Sequence, residues 1–175
     1  MDRNCVDVEA SLAIANALVE LAQKAGRTIT PMQLLKQVYF AHGWHLALTG
    51  LPLLDERVEA WQFGPVAPSV YHAFKSVRAG QITQKATELD TDRFEYVAPM
   101  PKDPNVMPLL KRISDVYGRL SGARLSAITH QDDSPWFRTW NDGGGKDRKN
   151  TDIPDEEIKQ YFCKKLKTVT PPAAG

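Results

Sequence analysis

The 175-residue chain carries 22 basic and 21 acidic side chains, a formal net charge of +1, with 42% hydrophobic and 25% charged residues. A chain of this length hides about 70% of its unfolded-state surface, so one domain with an ordinary core needs no staples. The near-zero charge counts against a dedicated nucleic-acid binder, which needs a basic face, and two cysteines without CxxC spacing, Cys5 and Cys163, exclude a disulfide scaffold or a thiolate zinc site and fit a reducing compartment.

The N-terminal segment lacks the basic start and unbroken apolar stretch of a secretory signal: Asp2, Asp7 and Glu9 surround Arg3, and Asn16 and Glu20 interrupt the run from Leu12 to Ala22. No stretch approaches the roughly 20 apolar residues of a membrane span. The expectation is a cytoplasmic protein. Val8, Leu12, Ala15, Val19 and Ala22 follow helical spacing, which predicts an amphipathic helix from Val6 to Lys24 ending at Gly26.

Thr30-Pro31-Met32-Gln33 is a capping box with proline at the first helical position. The helix it opens runs to about Leu48 and stops at Gly50. Its apolar residues surround most of the axis, as expected of a buried, central helix. Prolines 52, 65 and 68 then break helix, and alternation predicts a short extended piece at Val58 to Trp61 followed by a turn at Gly64-Pro65. Pro68 opens a third helix through Val77, closed by Gly80. Gln81 to Pro104 reads as a long connection with one or two edge strands, including Phe94-Glu95-Tyr96-Val97.

Val106 to Leu120 is amphipathic. Ser121 is an N-cap for a short helix carrying Leu125 and Ile128, and Ser134-Pro135 caps a further turn with Trp136 and Trp140. After a polar loop from Asn141 to Asn150, Pro154 opens a last helix. Its acidic first turn and basic last turn match its own dipole. Residues 170–175 are expected to be a disordered tail. The expected fold is mainly α, a helical bundle around a buried central helix with a short β-hairpin or edge strands, in a single domain over 1–169.

Several groups invite chemistry. His42 and His45 share one helix face and form a weak candidate metal pair for a metal-assisted hydrolase, with a third ligand from His72, His130, Asp132 or Asp133. Their HGWH context lacks the base of HExxH, and packing histidines are the favoured reading. His130, Asp132, Asp133 and Ser134 resemble an acid/base cluster, but Ser134-Pro135 with acids beside it is first a helix start. Gly143-Gly144-Gly145-Lys146 lacks the full phosphate-loop pattern and a preceding strand. Arg138, Lys146, Arg148 and Lys149 beside Trp136 and Trp140 would suit single strands, diluted by Asp142, Asp147 and Asp152. Trp61-Gln62-Phe63-Gly64-Pro65 reads equally as an exposed aromatic anchor for a protein partner or as rings plugging the core.

Leu34-Leu35, Tyr39 to Gly50, Pro52-Leu53, Glu59-Ala60-Trp61 and Phe63-Gly64-Pro65-Val66 together resemble the signature of the Panacea domain family, which includes SocA-type antitoxins and phage-associated GepA-like proteins. Leu125-Ser126, Thr129-His130, Ser134-Pro135-Trp136 and Ile158 to Phe162 extend the similarity to about residues 28–166, while Pro99 to Pro108 has no counterpart. The resemblance implies a non-enzymatic helical antitoxin without cofactor. Its partner would be a cognate protein toxin encoded by a neighbouring gene and, in the SocA type, the ClpXP protease to which the toxin is delivered. It marks Trp44, Trp61, Gln62, Phe63, Gly64, Pro65, His130, Ser134 and Trp136 as signature or partner-binding candidates. Specificity is expected on the Gln81 to Pro104 connection and on the N-terminal helix.

Overall fold

The computed structural model describes residues 8–148 and 150–169. Cys5, Val6, Lys149 and the expected tail therefore lie outside the described residues. The first helix, α1, spans Ser11–Lys24. It starts later than the periodicity predicts because Glu9 forms a parallel bridge with Leu54, its N–H donating to Leu53 O (2.8 Å) and its carbonyl accepting from Asp55 N (3.1 Å). Ala10 offers no side-chain cap, and Asp55 Oδ1 instead accepts the Ser11 N–H at 3.0 Å.

Helix α2, Pro31–Thr49, has the predicted capping box and ends at Gly50 in the left-handed region, φ +78°. It is enclosed on most sides: Leu34, Leu35, Val38, Tyr39, Phe40, Ala41 and Leu46 are buried, as are the polar Lys36, Gln37, His42 and His45. Strands β1 (Glu59–Trp61) and β2 (Gly64–Val66) form an antiparallel hairpin with Trp61 opposite Gly64. The turn is thus Gln62-Phe63, not Gly64-Pro65. Proline at 65 is tolerated in this short strand at the sheet's edge. Strand β5 (Thr151–Asp152), unforeseen between the polar loop and Pro154, pairs with the other side of β1, giving the order β2-β1-β5.

Helix α3, Pro68–Phe74, continues as a 3₁₀ turn over Lys75–Val77. Its first turn is capped from a distance by the Glu56 carboxylate, which accepts the Ser69 N–H at 3.0 Å. Strands β3 (Glu88–Asp90) and β4 (Glu95–Val97) form a separate two-stranded hairpin in the long connection. Helices α4 (Val106–Tyr117) and α5 (Gly122–Thr129) follow, the latter capped by Ser121. Helix α6, Pro135–Phe137, runs into a π-helical turn over Arg138–Asp142, and α7 spans Asp155–Val169.

One core collects residues from Ile14 to Phe162. Helices α1, α4, α5 and α7 pack around α2, whose closest neighbour is α7. No described helix is long and apolar enough to cross a membrane. The architecture is mainly α with small antiparallel sheets, as the sequence predicts. Against expectation, α1 is an interior element, with Ala13 to Val19 all buried.

The approach of α7 to α2 depends on a missing side chain. A Cβ at Gly43 would meet the Phe162 ring at 2.2–2.6 Å, while Phe162 also packs edge-on against Tyr39 and Trp44. Gly43→Ala should cost about 1–3 kcal/mol through overpacking, despite the higher helix propensity of alanine, as read from the urea midpoint.

Candidate functional site

The strongest concentration of signature residues lies where the β1–β2 turn crosses α2, α5 and α6. Four main-chain carbonyls of the hairpin face side chains from these helices. Trp136 Nε1 donates to Trp61 O at 2.7 Å, Ser126 Oγ donates to Phe63 O at 3.1 Å and Lys36 Nζ donates to Pro65 O at 3.1 Å. His130 Nε2 faces Gln62 O at 3.5 Å, and its Nδ1 donates to Ser126 O at 2.5 Å. Ser134 Oγ donates to Thr129 O (2.8 Å) and accepts the Phe137 N–H (3.1 Å). The His130 and Trp136 rings lie 3.8 Å apart, tilted by 50°, and Trp140 stacks on Trp136 at 5.7 Å. These side chains hold the backbone of the hairpin and its turn by their carbonyls.

Gly64 makes the close approach possible. Its φ is +109°, and a Cβ there would meet Lys36 Nζ at 2.6 Å, Lys36 Cε at 2.8 Å and Thr129 Oγ1 at 2.8 Å. Lys36 is only 1% exposed. Burial away from any carboxylate depresses its ammonium from 10.5 to about 7. Sequence reasoning passed over Lys36 because a lysine on an otherwise apolar helix normally marks the solvent side.

The aromatic pair splits between its two readings. Trp61 is half-buried, packs edge-on against Tyr71 and donates its indole N–H to Glu59 at 2.7 Å, whereas Phe63 is 62% exposed. Beneath Phe63 lies a recess of about 250 Å³ bounded by Met32, Leu35, Val66 and Tyr71. A second cleft of about 410 Å³ joins Trp61 and Trp140 to Lys146 and Arg148. Trp136 is buried with its N–H engaged, so it provides no face for a nucleic-acid base.

The remaining candidates belong elsewhere. Trp44 joins an aromatic layer between α2, α4 and α7, donating to Tyr117 Oη at 3.1 Å. His42 Nδ1 accepts the Leu53 N–H at 3.4 Å, which leaves Nε2–H to donate to Asp155 Oδ1 at 2.9 Å. His45 Nδ1 donates to Leu51 O at 2.9 Å; burial holds its imidazole below the ordinary value, opposed by that same bond. Both rings tie the ends of neighbouring segments to α2. No cluster of three or more metal-ligating side chains occurs among the described residues. The Ser134 hydroxyl, bonded to Thr129 O and Phe137 N, is not paired with His130, and Asp132 and Asp133 are exposed at the helix start.

A helical bundle whose buried central helix and GPV hairpin are joined in this way defines a protein class. The family model described as "Antitoxin SocA-like, Panacea domain" matches residues 34–137. The chain belongs to this family, and antitoxin is the function that membership assigns. Over 165 residues it is 32% identical to Antitoxin SocA of Caulobacter vibrioides (strain NA1000 / CB15N), covering 93% of this chain and 88% of that protein. No solved structure matches the chain.

Two outcomes test this latch of helix side chains on the hairpin backbone. Gly64→Ala adds a left-handed penalty to overpacking and should cost about 2–4 kcal/mol in denaturant unfolding. Lys36 releases its proton near 7 in the folded chain and near 10.5 when unfolded. Between those values the unfolded chain binds more protons, so stability rises with pH; below 7 both states are protonated and the contribution is flat. Lys36→Met should abolish the part of the rise between pH 7 and 10 that Lys36 supplies, measured by urea unfolding at fixed ionic strength.

Proposed function

We propose that the protein neutralises a cognate protein toxin in the cytoplasm by direct binding, without catalysis or a cofactor. The carrying observation is that the fold already uses the reactive groups of its family signature. His42, His45, His130 and Ser134, and Lys36 beside them, are each hydrogen-bonded to the chain's own backbone, His42 also to the Asp155 carboxylate in the first turn of α7. Such groups serve positioning, which suits a rigid binding scaffold better than a hydrolase. Of the signature hairpin, Gln62 and Phe63 remain exposed to a partner.

The toxin is expected from the gene adjacent to this one. Its expression alone should arrest growth, co-expression with this protein should restore growth, and the two should co-purify in fixed stoichiometry. A neighbour that is harmless alone, or that fails to co-purify, overturns this reading. Delivery of the toxin to ClpXP is a further expectation drawn from the family resemblance, and a toxin half-life that does not change when this gene is deleted would rule it out.

A further inference from the structure

The β3–β4 hairpin is anchored firmly at its base and bare at its tip. Asn16, fully buried on α1, donates its amide to Ala86 O and to Pro99 O, both at 2.9 Å, and accepts the Ala86 N–H at 2.8 Å. One side chain thus clamps both feet of the hairpin. Lys85 pairs with Glu20 of the same helix, and the buried Glu9 carboxylate takes the N–H groups of Lys102 (2.8 and 3.0 Å) and Asp103 (2.6 Å). Beyond these anchors Leu89 and Tyr96 sit directly opposite each other, 50% and 75% exposed, and Phe94 closes the turn at 86% exposed. A two-stranded hairpin has no hydrophobic face of its own to bury, so three large apolar side chains on a clamped arm call for an outside partner.

The charge on the arm selects that partner. Glu88, Asp90, Asp92 and Glu95 face one cation, Arg93, which lies 3.8 Å from both Asp90 and Glu95. A net negative arm repels nucleic-acid phosphates, anionic lipid and a second copy of itself. It attracts a protein surface rich in lysine and arginine.

We propose that this arm is the specificity element of the antitoxin: Leu89, Phe94 and Tyr96 enter an apolar slot on the toxin, and the surrounding carboxylates meet a basic rim. The inference rests on the binding function proposed above and adds its surface and the toxin's chemistry.

Phe94 provides a clean test because its φ of +53° suits glycine better than phenylalanine. Phe94→Gly relieves the turn while removing the ring, so the melting temperature should hold or rise. Binding to the purified product of the adjacent gene should weaken about tenfold or more, and further in Phe94→Gly/Tyr96→Thr. Asp92→Lys/Glu95→Lys should slow association and flatten its salt dependence. If the wild type binds and both aromatic variants bind within twofold of it, this assignment fails while the antitoxin reading stands. If the wild type does not bind, both fail. Concentration-dependent dimers in sedimentation that vanish in Phe94→Gly/Tyr96→Thr would overturn it in favour of self-association.

Discussion

Burial of α2 on nearly every side is the constraint on which the rest of the structure depends. An enclosed helix cannot leave polar side chains unpartnered, because each unmet donor in the core costs about 1–3 kcal/mol. The polar groups along α2 therefore act as fixings for whatever surrounds it. Gln33 donates to Leu120 O ahead of α5, Lys36 holds the β1–β2 hairpin, His42 reaches Asp155 at the start of α7, and His45 holds the turn after Gly50. Gly43 completes the arrangement by letting the Phe162 ring sit against the helix backbone.

The family signature gains a physical meaning from this arrangement. Carbonyls of the hairpin and its turn accept hydrogen bonds from Lys36, Ser126 and Trp136, which arrive from three helices, with His130 facing a fourth. Glycine at 64 is required because the lysine amine occupies the space of its side chain. The polar groups of the signature therefore form an internal latch, with Gln62 and Phe63 left exposed at its turn. The contrast is sharpest between α1, expected to display specificity but buried from Ala13 to Val19, and the β3–β4 arm, which α1 holds through Asn16 and Glu20. Those two polar residues interrupt the apolar run of α1, and they interrupt it because they carry the arm.

Much of the architecture was legible because it rests on local chemistry. The capping box at Thr30 to Gln33, proline at the first helical positions 31, 68 and 135, serine caps at 121 and 134, and the αL glycine at 50 each fix an element end from within a few residues. The all-round apolarity of α2 likewise announced a central helix. The site was legible only as a set of motifs. Gln62, Phe63, Gly64, His130, Ser134 and Trp136 were visible as unusual residues, yet nothing in their spacing, roughly 70 positions apart, says that they meet.

Length, balanced charge and hydrophobic periodicity determined by themselves a mainly helical chain with an ordinary core and no overall charge bias toward phosphate. Tertiary structure alone decided where α1 begins, since its cap is Asp55 and the residue before it is drawn into a bridge with Leu54. It also moved the hairpin turn to Gln62-Phe63, added β5 to the sheet, and turned Lys36 inward to a carbonyl 29 residues away. The reason is common to all of these. Local pattern sets which conformations a segment prefers, but a buried polar group goes wherever the packed chain supplies its partner, and that partner is distant in sequence.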